Sequence, residues 1–275
     1  MNPGKTAFDK THLTLADIGR AIRCGRMLSR AMPRASLGYA TVFTIVGLIL
    51  LVAIAAVGLS PLALPFAGGF MLVGPILLSG YFELARQHEQ GKQPHLSDAF
   101  GAFRRAPSGL WAVALICAFL FLIWITDAGI LYSFTIGGAQ LDYSLMRLHD
   151  VVAFELWGSL IGSVLAYLIF CVSAFSVPLI YEGRAGLVQA IFASVRTVLG
   201  NFLVCLGWGI VLGSVIMLSI LLLPLLLFTL PLMSYASFCL YRIAFPPQQT
   251  ENTGGREGFD SATDRPTDPE SARRR

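Results

Sequence analysis

The chain has 275 residues, 55% of them hydrophobic and 13% charged, with a formal net charge of +4. So apolar a balance excludes an ordinary water-soluble domain and indicates an integral membrane protein. Its five cysteines share no CxxC spacing, which gives no sign of a metal or redox motif; Cys117, Cys171, Cys205 and Cys239 lie in apolar runs, Cys24 stands apart, and all are read as small core residues.

The first 34 residues hold Lys5, Lys10, Arg20, Arg23, Arg26, Arg30 and Arg34, with no short apolar core and cleavage site of a signal peptide, so this start is expected to be retained. Within it, residues 14–34 open with Thr14-x-x-Asp17, a capping-box-like signal, and then show helical periodicity. At 100° per residue Leu15, Ile18, Ile22, Leu28 and Met32 share one arc, and Arg20, Arg23, Arg26, Arg30 and Arg34 the opposite one. The pattern predicts an interfacial helix that buries its apolar face in the leaflet and sets its arginines among anionic headgroups, making membrane lipids a partner. Nucleic acid is excluded as a partner, because no base-stacking aromatic lies among the arginines.

A crossing needs about 20 mostly apolar residues for roughly 30 Å of hydrocarbon. Residues 37–59 meet that, and Ser60–Pro61 turn the chain into a second span at 62–82. A charged segment follows to Pro107, then a span at 109–133, a polar link, and a span at 152–180. Residues 201–244 are too long for one crossing and carry Pro224 and Pro231, so they divide into 201–222 and 225–244. The expected fold is all-α: a polytopic bundle of six transmembrane helices, with the basic interfacial helix and two short amphipathic cytoplasmic helices. Lys and Arg collect in cytoplasmic segments, and alternate segments of this scheme hold nineteen of the twenty, Arg147 being the exception. Both termini are therefore expected in the cytoplasm of a bacterium, the protein being multi-pass in its inner membrane. The domains read as 1–35 (cytoplasmic, basic), 36–245 (membrane) and 246–275, a polar tail too poor in apolar residues to fold.

An internal repeat lies inside the membrane domain. "LSDAFGAFRRAPSGLWAV" (96–113) aligns without gaps on "LVQAIFASVRTVLGNFLV" (187–204), so that Ala99 meets Ala190, Ala102 meets Ala193 and Arg105 meets Arg196. Each copy follows a span ending in an aromatic–acid tip, at Glu83 or Glu182, which suggests ion pairs Glu83–Arg105 and Glu182–Arg196. Both copies start from the same side, so the repeat is parallel. Twelve residues separate acid and helix in the first copy, and four in the second.

Acids inside a membrane are costly, which makes Asp127 and Glu155 the candidate proton- or cation-binding pair. The histidines lack metal-ligand spacing, and no nucleophile, phosphate-loop or metalloprotease motif occurs, so neither enzymatic activity, a cofactor nor a metal is expected.

The stretch "GFMLVGPILLSGYFELARQHEQGKQP" resembles a bacterial family of predicted integral membrane proteins of unknown function, family 2189. Gly69, Gly74, Pro75, Gly80, Glu83 and Arg86 carry the resemblance, with Phe70, Leu72, Val73, Glu89, Gly91 and Pro94. Together with "AIRCGRMLSRAMPRASLGYATVFTIVGLIL" upstream, it extends over about 20–245, with departures at Arg26 and Phe82. The family implies architecture and brings no reaction. Physically, Gly74–Pro75 predicts a kink, and the small Gly69, Gly74 and Gly80 predict close approach of a neighbour. Two functions fit: an assembly, scaffold or envelope- and lipid-organising protein with a membrane-protein partner, or a small transporter or channel using the kinked second span with Asp127 and Glu155. The lack of a charged residue at the centre of any span favours the first.

Overall fold

The computed structural model describes residues 12–56, 63–135 and 148–246, and all regular structure among them is helical. In chain order the helices are α1 (Leu15–Ala31), α2 (Pro33–Ala56), α3 (Ala63–Glu89), α4 (Leu96–Arg104), α5 (Ser108–Thr135), α6 (Leu148–Ser173), α7 (Ser176–Tyr181), α8 (Leu187–Gly200), α9 (Phe202–Leu221) and α10 (Leu223–Ala244). The Ser60–Pro61 turn and the tail beyond residue 246 lie outside the described residues.

Local chemistry sets the ends of these helices. The Asp17 carboxylate accepts hydrogen bonds from the Thr14 N–H and hydroxyl, both at 2.7 Å, which caps α1 as the Thr14-x-x-Asp17 spacing suggests. Pro33 has no N–H to continue α1 and instead opens α2, and the chain bends by 98° between them. A second bend, of 103°, separates α8 from α9 at Asn201. The Asn201 side chain donates to Thr197 O at 3.0 Å and accepts the Leu13 N–H at 2.9 Å, so the same residue holds the start of α1.

Helices α3 and α7 finish in the same way, each with a glycine in the left-handed region: Gly91 at φ +72° and Gly183 at φ +67°. Lys92 N–H bonds Gln87 O and Arg184 N–H bonds Leu179 O, both at 3.0 Å, closing the last turn over the glycine. In α3 that ending comes two turns after Glu83; in α7 it comes immediately after Glu182. The extra helical turns account for the longer link of the first copy.

Between α6 and α7 the ladder opens around a side chain. Ser194 Oγ of α8 accepts the Phe175 N–H at 3.1 Å and donates to Cys171 O at 2.7 Å. Those two backbone groups are four residues apart and would otherwise bond each other, so the hydroxyl is inserted into the helix.

Helices occupy the positions of all six expected spans. Among the described residues three stretches are long and apolar enough to cross alone, Ser108–Asp127, Leu156–Tyr181 and Pro224–Ala244, and the bent pairs α1–α2 and α8–α9 bring the number to five. The expected span 62–82 falls on α3, whose side chains through residue 73 lie outside the described ones. Only 22% of the α5 window is buried within the protein, against 44% for α10, which makes α10 the more interior helix.

Burial is concentrated at one end. Tyr39 of α2, Tyr81, Phe82 and Leu84 of α3, Leu110 of α5, Phe175 and Leu179 beside Pro178, and Tyr235, Phe238, Leu240 and Tyr241 of α10 are all buried, together with Ala99 and Ala102 of α4 and the aligned Ala190 and Ala193 of α8. Farther along the same helices, Ile45, Ile49, Val52, Leu122, Leu160 and Val164 are exposed. Apolar side chains that no protein covers are what hydrocarbon solvates without cost.

The placement of α1 corrects one expectation. Its most extensive packing is against α10. Asp17, Ala21 and Gly25 form the buried strip, while Ile18, Ile22 and Leu28 are half-buried against the core. Gly25 permits this approach: a Cβ there would stand 2.7 Å from both Ala236 N and Leu232 O of α10. A second correction concerns cysteine, because Cys24 and Cys239 form a disulfide between α1 and α10, with Cα atoms 6.3 Å apart. Cys117, Cys171 and Cys205 are free and buried, as small core residues.

Candidate functional site

The two acid tips meet at the packed end, where each is held by a tyrosine from a later helix. Glu83 on α3 accepts Tyr181 Oη of α7 at 2.7 Å, Gln87 Nε2 at 2.9 Å and Arg86 Nη2 at 2.6 Å. Glu182, the next residue after Tyr181, accepts Tyr241 Oη of α10 at 2.7 Å and pairs with Arg242 at 2.8 Å. Arg242 also reaches Glu89 of α3 at 2.7 Å and stacks over the Phe238 ring with 4.8 Å to its centroid. Arg184 donates to Tyr241 Oη at 3.0 Å and to Phe245 O at 2.8 Å. The chain of contacts ties the ends of α3, α7 and α10 together.

This corrects the pairing read from the repeat. Glu83 takes Arg86 one turn away, while Arg105 donates its Nε to Gly101 O at 3.1 Å. Glu182 takes Arg242, not Arg196, which is exposed. The reason is geometric: α10, absent from the repeat itself, brings its own tyrosine and arginine to the tip of the second copy.

Beneath the acids lies a tyrosine cluster. Tyr39, Tyr81 and Tyr235 are fully buried, with Tyr81 edge-on to Tyr39 at 5.0 Å and to Tyr235 at 5.5 Å. Tyr39 Oη donates to Leu77 O at 3.2 Å, and Tyr235 Oη shares a 2.7 Å hydrogen bond with Ser36. Gly80 is the seat of Tyr39, since a Cβ there would lie 2.5 Å from Tyr39 Cζ and Oη. The close approach expected at Gly80 is thus made by a ring. A Cβ at Gly74 would meet nothing within 4 Å among the described residues outside its own helix turn, and α3 continues as one helix through Pro75; Gly69 has no described surroundings.

Asp127 is half-buried on α5, while the side chain of Glu155 on α6 lies outside the described ones. The helices run antiparallel, as Gly109 faces Ile180 and Gly162 faces Trp124. Arg20, Arg23, Arg26, Arg30 and Arg34 are all exposed, Arg20 being paired with Asp17.

Chemically, the site suits fastening. Glu83 and Glu182 each accept from a tyrosine and pair with an arginine, and the buried Glu182 Oε1 makes no hydrogen bond beyond its ion pair. Among the described residues no group of three or more His, Cys, Asp and Glu is arranged to hold a metal ion. Tyr181 belongs to the aromatic–acid tip that the sequence marks, but Tyr39, Tyr235, Tyr241, Arg184 and Arg242 carry no such signal as site residues. Gly80 next to Tyr81 is a local sign of close packing; the hydrogen-bond partners of Tyr39, Tyr181, Tyr235 and Tyr241 lie 38 to 199 residues away, separations that no local spacing encodes.

Residues 62–182, under half of the chain, match the model of a family described as predicted integral membrane protein (DUF2189). This bears out the resemblance carried by the glycine–proline stretch, over α3 to the acid tip of α7, and the protein is an integral membrane protein with several apolar helices. No curated protein and no solved structure matches the chain.

Proposed function

We propose that this integral membrane protein is a non-enzymatic scaffold that organises anionic lipid, and a membrane-protein partner, at the cytoplasmic face of a bacterial inner membrane. The observation that carries the reading is α1: four exposed arginines, Arg20, Arg23, Arg26 and Arg30, opposite a strip docked on α10, on a helix bent 98° from the span that follows it, with Arg34 exposed just past the bend on α2. A helix turned away from a span in this way can lie along the leaflet, with each arginine near the surface contributing about 1 kcal/mol of attraction to anionic lipid.

In this reading six helices cross, α2, α3, α5, α6 with α7, α9 and α10, and both termini are cytoplasmic, as the distribution of Lys and Arg favours. Helices α4 and α8 lie on the inner surface as the matching parts of a parallel repeat, each burying its aligned alanines. Acid tips held by tyrosine and arginine, and a packed tyrosine core, support a fixed bundle over a moving one.

Purification from native membranes with lipid analysis tests the proposal. The wild type retains anionic lipid and a partner, and replacing the five arginines by glutamine releases the lipid while the bundle stays folded. Equal lipid retention by both forms would overturn it. So would a pH- or ion-dependent flux in reconstituted vesicles that Asp127→Asn and Glu155→Gln each abolish, the result that a transporter requires.

A further inference from the structure

Cys24 and Cys239 are 215 residues apart in sequence, yet they join the middle of α1 to the last helix. The strip beneath the bond consists of a carboxylate, an alanine and a glycine: Asp17, Ala21 and Gly25. Such residues allow two backbones to approach closely but bury little apolar area of their own. The crosslink adds a covalent tie to the contacts that Ile18, Ile22 and Leu28 make with the core. Cys239 is 5% exposed, and Cys24 is half-buried on the same helix as four of the exposed arginines, Arg20, Arg23, Arg26 and Arg30. On the topology proposed above, both sulfurs stand on the cytoplasmic side, where thiols are kept reduced and a disulfide is transient.

We propose that Cys24 and Cys239 form a reversible thiol–disulfide latch that controls the docking of the arginine-bearing helix on α10. The oxidant is a low-molecular-weight disulfide. Cys24, the more accessible sulfur, attacks it as the thiolate, forms a mixed disulfide and expels one thiolate. Cys239 then loses its proton and attacks the Cys24 sulfur, closing the latch and expelling the second thiolate. Two protein thiols are oxidised, and one small disulfide is reduced to two thiols. A dithiol reductant reverses the step and leaves with its own sulfurs joined. Closed, the latch pins α1 to the bundle; open, α1 is held by noncovalent contacts, the packing of Ile18, Ile22, Leu28 and Gly25 and the Leu13–Asn201 hydrogen bond.

The inference rests on the cytoplasmic placement of α1, and the test separates the two. In sealed inside-out and right-side-out vesicles, a membrane-impermeant maleimide is applied after reduction, and trypsin cleavage in α1 is timed with and without a dithiol. Expected are labelling of Cys24 from the inner face only, and cleavage at least roughly tenfold faster in the reduced protein than in the oxidised one. Cys239→Ser should be cut at the fast rate under both conditions. Labelling from the outer face overturns the topology and the latch with it, because an oxidising compartment makes the bond a permanent staple. Inner-face labelling with a cleavage rate indifferent to reductant leaves the topology standing and overturns the latch. Vesicles from cells quenched with acid show the resting state: a fraction of free thiols that grows under reductive growth conditions supports the latch, and a pair fully oxidised under all conditions refutes it.

Discussion

Tyr39 occupies the space that a side chain at Gly80 would need, its Cζ and Oη lying 2.5 Å from where a Cβ would stand. The ring is fully buried and wedged between Tyr81, Phe43 and Phe100, so it has nowhere to retreat. Gly80→Ala should destabilise the protein by about 1–3 kcal/mol through overpacking. In a Tyr39→Ala background, itself costly, the same change should be close to neutral, because the clash has been removed. Thermal unfolding of the four proteins in detergent measures the coupling. Equal cost in both backgrounds would show that the ring is not what requires glycine.

At Gly25 the obstacle is backbone, not a side chain. A methyl group there meets Ala236 N and Leu232 O at 2.7 Å, and α10 cannot yield without moving as a helix. Gly25→Ala should push α1 outward and raise the alkylation rate of Cys239 in the reduced protein on the order of tenfold, as an opening equilibrium shifts. An unchanged rate would mean that α1 docks elsewhere.

Ser194 replaces one helical hydrogen bond with two of its own. Removing the hydroxyl strands the Phe175 N–H and the Cys171 carbonyl in buried surroundings, at a cost of about 1–3 kcal/mol. Ser194→Ala should lower the unfolding midpoint and speed hydrogen exchange at the Phe175 amide. Slower exchange would be the contrary result, showing that the ladder closes once the hydroxyl is gone.

Asp17 gives the docking of α1 a pH dependence. Burial raises its carboxyl, but hydrogen bonds from the Thr14 N–H and hydroxyl, with the Arg20 guanidinium, outweigh that and hold it below the ordinary 3.8. A group depressed in the folded state adds stability above its unfolded value and withdraws it as pH falls through the folded one. Protection of the α1 amides should therefore be constant at neutral pH and decline only below about pH 4. Asp17→Asn should protect α1 less at neutral pH and show no such decline. Hydrogen exchange measured by mass spectrometry follows both, and a wild-type decline beginning near pH 6 would assign the effect to another group.

Sequence alone determined what depends on neighbours a few residues apart. Lengths of apolar runs placed the helices, because a backbone in hydrocarbon must satisfy its hydrogen bonds internally. The Thr14-x-x-Asp17 spacing marked where α1 begins, but the helix expected over 14–34 breaks at Pro33 and leaves Arg34 on α2, and the ungapped repeat picked out α4 and α8 along with the alanines they bury. Tertiary structure decided the partners. Repeat symmetry suggested Arg105 for Glu83 and Arg196 for Glu182, but the aligned copies say nothing of α10, which supplies Tyr241 and Arg242 from outside them. The amphipathic pattern of α1 fixed which face would be covered and left open by what. A lipid tail and the backbone of α10 both accept an apolar strip; only the approach at Gly25, and the meeting of Cys24 with a cysteine 215 residues away, selects the protein.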